Sequence, residues 1–240
     1  MGNTRHLFSG KSQFTGNPID VFITLKSSNS KTGNIPQVTM LPSNVKPTDA
    51  LKTGQDQDVC GGCPLRPKLF NPDTHDLPCY VNCGFAPNAI NRSKSISQFE
   101  KDQKQFDVIR IGAWGDSASV EKKALLEIVK LGKKVLNYTH QWADKKFNFL
   151  KDFSMASVHS IQEKIEANKL GFKTFRTVKP LPFGDHVKRF NKGKHYVKDL
   201  AQDEMLCPNE INKNLQCKDC KLCVGNQIKA NLNIVIPSHK

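Results

Sequence analysis

The chain has 240 residues and a formal net charge of +14, with 36 Lys and Arg against 22 Asp and Glu. It is long enough to bury a sizeable core, and no run approaches the roughly 20 apolar residues of a membrane span, which excludes an integral helical membrane protein. The opening stretch, MGNTRHLFSG, lacks a signal-peptide core and the hydroxyl residue of a myristoylation motif, so a cytoplasmic protein is expected. The cation excess favours polyanionic partners such as DNA, RNA or anionic lipid.

Residues 1–55 are rich in Ser, Asn, Thr, Gly and Pro, with strand-like runs over Asp20–Leu25 and Pro36–Leu41. They read as an N-terminal hairpin and a long connection. From Val108 strand and helix signals alternate. VIRIGAWGD is a buried strand ending at Gly115-Asp116. VEKKALLEIVKLGKK puts Ala124, Leu125, Ile128 and Val129 on one helical face, with Gly132 as its stop. KVLNYTHQW is a second strand, DKKFNFLKDF a short helical piece, and SMASVHS a third strand. SIQEKIEANKLG follows as a helix, with Ser160 and Glu163 at capping-box spacing and Gly171 at its end. KTFRTVKPLPF supplies a fourth strand and NLNIVIPSH a last short one. Alternating strands and helices require parallel pairing, so an α/β domain over 56–225 is expected, as a parallel sheet or partial (β/α) barrel, with residues 226–240 as a C-terminal strand and tail.

All eight cysteines fall in two groups. Cys60, Cys63, Cys79 and Cys83 lie in DVCGGCPLRPKLFNPDTHDLPCYVNCG; Cys207, Cys217, Cys220 and Cys223 end in a CxxCxxC run. Closely spaced thiols aim at one point, and four complete a tetrahedral shell, so two metal-binding loops of four cysteines each and two zinc ions are expected. Iron–sulfur clusters also take four cysteines, and that alternative stays open. Either way, the cysteines would staple irregular loops that a hydrophobic core cannot order.

Reactive groups of parallel α/β folds gather at the carboxyl ends of strands. Three such ends carry Asp116, His140 and His159, which are the candidate catalytic residues, as acid, base or nucleophile. Trp142 offers a stacking platform. Between Lys164 and Lys198 ten Lys or Arg face only two acidic residues, interleaved with Phe172, Phe175, Phe183, Phe190 and Tyr196. Cations neutralise phosphates and rings stack on unpaired bases, so Arg176, Lys188, Arg189, Lys192 and Lys194 join Trp142 as candidate nucleic-acid contacts.

In their order along the chain, SKTGNIPQVTMLP, CGGCPLRP with CYVNCG, RIGAWGDSASV, NYTHQW, MASVHS, and CP followed by CKDCKLC resemble a set of phage- and plasmid-encoded cysteine-rich proteins with no assigned reaction. The likeness covers most of residues 30–225. It implies a mobile-element protein in the host cytoplasm with a barrel-like core and cysteine-bound metal. More distantly, the chain is similar to radical SAM enzymes, but Cys79 and Cys83 are not followed by the third cysteine of their cluster motif. It is also similar to tRNA-guanine transglycosylases, in which Asp116 would match a strand-end aspartate and Cys217, Cys220 and Cys223 the metal run. His159 stands where those enzymes want a carboxylate. The expectation is a metalloprotein that acts on nucleic acid, with transglycosylase-like nucleobase modification of DNA as its reaction. The alternatives are a non-catalytic, zinc-stabilised nucleic-acid-binding or host-interaction protein, and an iron–sulfur protein of radical-SAM-like ancestry.

Overall fold

The structure is a computed structural model that describes residues 3–73, 78–93, 96–100, 105–178, 200–229 and 232–238. Two five-stranded sheets organise the chain. The first has the order β1 (Thr4–Lys11), β2 (Pro18–Thr24), β3 (Gln37–Pro42), β4 (Phe106–Ile111), β5 (Gly132–Leu136). β1, β2 and β3 pair antiparallel; β3, β4 and β5 pair parallel. The second sheet is parallel throughout, in the order β6 (Tyr138–Thr139), β7 (Met155–Val158), β8 (Thr174–Val178), β10 (Asn233–Pro237), β9 (Glu204–Leu206). The fold is thus mixed α/β, and the sheets do not close into a barrel.

Only Asn137 separates β5 from β6, so one stretch of chain leaves the first sheet and enters the second. Asn137 is fully buried and holds the junction: its Nδ2 donates to Ser117 Oγ at 2.8 Å and Ser154 Oγ at 2.5 Å. Its main-chain oxygen accepts from Met155 N at 2.9 Å, at the start of β7.

The strands follow their sequence patterns. β2 alternates, burying Ile19, Val21 and Ile23 on one face, whereas β3, β7 and β10 are buried along their whole length, as strands covered on both faces must be. The N-terminal hairpin is part of this same first sheet. The main core joins it to Trp114, Leu125, Leu150, Phe153 and Phe172.

Among the described residues, seven short α-helices accompany the sheets: α1 (Pro47–Thr53), α2 (Gln57–Cys60), α3 (Ala86–Arg92), α4 (Lys122–Val129), α5 (Ile161–Lys169), α6 (Pro208–Ile211) and α7 (Cys217–Cys220). In α4, Leu125 and Ile128 are buried while Ala124 and Val129 pack partly against the core, the face expected from the spacing. The segment Lys145–Asp152 is a 3-10 helix, capped by the Asp144 side chain, which accepts from Lys146 N. Among the described residues, no helix is long and apolar enough to cross a membrane.

Candidate functional site

Asp116, His140 and His159 come together at the carboxyl ends of β4, β6 and β7. After β4 the chain turns through Gly112 and Gly115, both at positive φ. A side chain at Gly115 would press within 3.0 Å of Met40 and 3.2 Å of Val59, so this tight passage requires glycine twice over. It delivers Asp116 to the end of the sheet, where its N–H donates to Val59 O at 2.6 Å and ties the turn to α2.

The Asp116 carboxylate is buried and points at protein groups. Oδ1 accepts from Ala118 N at 3.0 Å, capping the 3-10 turn Ser117–Ser119; Oδ2 accepts from Thr139 Oγ1 at 3.0 Å and His140 N at 2.9 Å. Burial pushes its pKa up to about 6, against the opposing pull of these donors. With its oxygens used in this way, Asp116 fixes the backbone of His140.

The two imidazoles lie 11° from parallel and meet edge to edge, with centroids 5.3 Å apart and His140 Nε2 3.1 Å from His159 Nε2. Cys63 Sγ lies 3.9 Å from the same His140 Nε2. His159 is held at two points. Its Nδ1 is 2.6 Å from Thr177 Oγ1 on β8, and its N–H donates to Glu163 Oε2 at 2.6 Å. Ser160 Oγ accepts from Glu163 N at 3.1 Å, as capping-box spacing predicts, but the returning Glu163 carboxylate reaches one residue further back, to His159. Thr177 and Glu163 are therefore site residues that the sequence reading did not assign; a strand hydroxyl beside a strand-end histidine was the available signal.

The first cysteine loop closes over this site. Gln141 Nε2 donates to Cys60 O at 3.4 Å, and any side chain at Gly61 would meet Phe14 at 2.9 Å and Gln141 at 3.1 Å. Trp142 donates its Nε1–H to Ser157 O at 3.2 Å and packs partly on the core, leaving its ring half-buried.

Each cysteine group gathers in space. Cys60, Cys63, Cys79 and Cys83 act on one another electrostatically, as do Cys207, Cys217, Cys220 and Cys223. The backbone amides of Leu65, Val81 and Leu222 pull the thiols of Cys63, Cys79 and Cys220 down, against the larger push of burial. After α7, Lys221 takes the left-handed conformation with φ 54°, which swings Cys223 back beneath the helix. Burial raises the thiols of Cys60, Cys63, Cys79, Cys83, Cys217, Cys220 and Cys223, those of Cys63 and Cys83 to about 12, so without a cation these stay protonated. Among the described residues no three His, Cys, Asp or Glu side chains are arranged to hold a metal ion as they stand. Donor chemistry and turn geometry nevertheless fit thiolate ligation.

The second group is also tied to the 29–34 loop: Cys217 N donates to Lys31 O at 3.0 Å and Lys218 N to Thr32 O at 3.2 Å. Nearby, buried Glu210 accepts from Lys31 Nζ at 2.7 Å and Lys213 Nζ at 2.6 Å.

Of the four described cations of the basic stretch, Lys164, Lys173 and Arg176 are buried and Lys169 is exposed. Arg176 is buried and pairs at two points with buried Glu204, each contact 2.6 Å. Lys164 pairs with Asp203, and Lys173 Nζ donates to Ile228 O at 2.6 Å. Lys188, Arg189, Lys192 and Lys194 lie outside the described residues. A cleft of about 470 Å³ lined by Leu7, Phe8, Phe99, Ala124, Ile128 and Leu131 sits towards the amino end of β4, away from the histidines.

No protein-family model, curated protein or solved structure matches the chain.

Proposed function

We propose that the protein is an enzyme acting on nucleic acid, with modification of a nucleobase in DNA as its reaction and cysteine-held metal as its scaffold. One observation carries the catalytic reading: two imidazole Nε2 atoms 3.1 Å apart at the ends of adjacent parallel strands. At that distance one ring donates and the other accepts, so the pair shares a proton and can deliver or take one. Thr177 at His159 Nδ1 and Asp116 at the His140 backbone orient the two rings. Asp116 is a positioning residue here, since its carboxylate is spent on internal donors; proton transfer falls to the histidines. The net charge of +14 supports a polyanionic substrate.

Cys60, Cys63, Cys79 and Cys83 would hold one metal, and Cys207, Cys217, Cys220 and Cys223 the other. Bound zinc would supply a rigid frame for the loops; an iron–sulfur cluster would add redox capacity. The chain's own residues hold Cys63 against His140, so the first loop shields one side of the histidine pair from solvent.

The test is nucleoside analysis of DNA and RNA from cells that carry the gene, cells that lack it, and cells with His140→Gln or His159→Gln. A modified nucleoside seen with the unaltered gene alone is expected. Identical profiles in all four, together with undiminished nucleic-acid binding by the purified variants, would overturn the catalytic reading and select the non-catalytic binding protein. A colourless protein carrying two zinc ions would exclude the iron–sulfur alternative.

A further inference from the structure

Arg110 sits one residue before the end of β4, on the opposite face from Ile109 and Ile111, which belong to the main core. Its own face carries Val108, which packs with Leu136, Val224, Cys217 and Cys223. The side chain is only 9% exposed. Its Nη2 donates to Tyr80 Oη at 3.1 Å, and Nε has no hydrogen-bond partner among the described residues. No carboxylate among the described residues pairs with it; the groups that act on it most are the phenols of Tyr80 and Tyr138 and the thiol of Cys217.

A guanidinium does not shed its charge, so a buried one requires an anion. Among the described residues, the groups that draw on the Arg110 charge are the phenols of Tyr80, which is itself exposed, and of Tyr138, and the Cys217 thiol. Only the thiol becomes anionic through a process the site itself provides, because metal binding displaces the thiol proton. Four thiolates around a divalent ion leave two negative charges in excess, more than enough to balance the single positive charge of Arg110. The surroundings agree. Tyr138 packs against Phe175 at 4.5 Å and joins Cys207 and Cys223 in one apolar cluster. The nearby Lys31 is already matched by Glu210.

We propose that Arg110 is the buried counter-charge of a metal centre held by Cys207, Cys217, Cys220 and Cys223, and that the Tyr138 hydroxyl donates to the Cys223 sulfur of that centre. The inference rests on the metal reading above and adds to it a second shell. Arg110 also donates to Tyr80, the neighbour of Cys79 in the first cysteine loop.

Metal affinity of the full chain tests this. Cobalt(II) is titrated into the reduced protein in competition with a chelator, with its thiolate absorption followed in the unaltered protein, Arg110→Gln, Arg110→Lys and Tyr138→Phe. Cys60→Ser is placed in each background so that the second centre is read by itself. Arg110→Gln should weaken that centre by roughly 10- to 100-fold, with Arg110→Lys losing less and Tyr138→Phe about tenfold or less. If anaerobic reconstitution instead yields a brown cluster, Arg110→Gln should move its reduction potential downward, since the lost positive charge had favoured the added electron. Affinity in Arg110→Gln within about twofold of the parent would overturn the proposal and leave the metal reading standing. Failure of the unaltered protein to bind metal would overturn both. Should Arg110→Gln fail to fold by circular dichroism, Tyr138→Phe decides, because it keeps the ring on Phe175; unchanged affinity there would overturn the inference.

Discussion

Arg66 and Asp56 form a buried two-point ion pair beneath the first cysteine loop, with Nε 2.8 Å from Oδ2 and Nη2 3.0 Å from Oδ1. The two side chains are 5% and 0% exposed. The same guanidinium donates to Gly61 O and Gly54 O, each at 2.8 Å, so one side chain ties the Cys60–Cys63 turn to the end of α1. Replacing Arg66 by Met strands a buried carboxylate and two carbonyls. The expected loss is about 3–5 kcal/mol in urea denaturation. A loss under about 1 kcal/mol would mean that the pair behaves like an exposed one.

Asp116 sets a second expectation, for pH. Its carboxyl titrates near 6 in the folded chain and near the ordinary carboxylate value once unfolded. Between about pH 4 and 6 the folded chain therefore retains a proton that the unfolded chain has released, and stability falls as pH rises through that window. The shift corresponds to about 3 kcal/mol at most. Asp116→Asn removes the titration, so its stability should change less than the parent's between pH 4 and 6, although it loses acceptors for Thr139 and His140 and starts lower. Parallel slopes in denaturation at matched pH values would refute the assignment.

What the sequence disclosed follows from how local each signal is. The strands β3, β7 and β10 are short apolar runs, α4 shows a clear apolar face, and Ser160 caps α5; all are properties of a few neighbouring residues. Strand β1 was hidden because Thr4–Lys11 carries Arg5, His6 and Lys11 and lies at a sheet edge, with no fully buried position. The switch of sheets at Asn137 was hidden for another reason: it depends on Ser117 and Ser154, about 20 residues away on either side. In the site, His140 and His159 stood out as polar residues at strand ends. The closeness of Cys63 to His140 did not, since it depends on how α2 docks on the Asp116 turn. Nor did the inward turn of Arg176, whose partner Glu204 lies on the far side of the basic stretch.

Gly225 offers a test of how the C-terminal segment docks. It has φ 57°, and a Cβ there would fall 2.7 Å from both the N and O of Ser154 and 3.0 Å from the carbonyl carbon of Phe153. These are backbone atoms and cannot swing aside. Gly225→Ala must therefore shift the 3-10 turn Gly225–Gln227, whose Gln227 side chain bonds both Val135 N and Val135 O. A destabilisation of more than about 2 kcal/mol is expected from the strain together with lost contacts. A change within about 0.5 kcal/mol, the range of neutral surface substitutions, would show that this docking contributes little.

Thr177 allows the histidine pair to be tested apart from any reaction. Its Oγ1 lies 2.6 Å from His159 Nδ1, and His159 Nε2 faces His140, so the hydroxyl at one end of the ring selects what the other end presents. Valine matches threonine in shape and removes that partner. In the unaltered protein, nitrogen-15 spectra of the imidazoles should show His159 in a single tautomer near neutral pH; in Thr177→Val the two tautomers should mix, and the resonances of His140 should move with them. Glu163→Gln should leave the tautomer unchanged, because Glu163 holds the His159 backbone N–H and not the ring. If Thr177→Val leaves the His159 spectrum as it was, the ring is oriented by its neighbour alone, and the pair has no fixed direction for its proton.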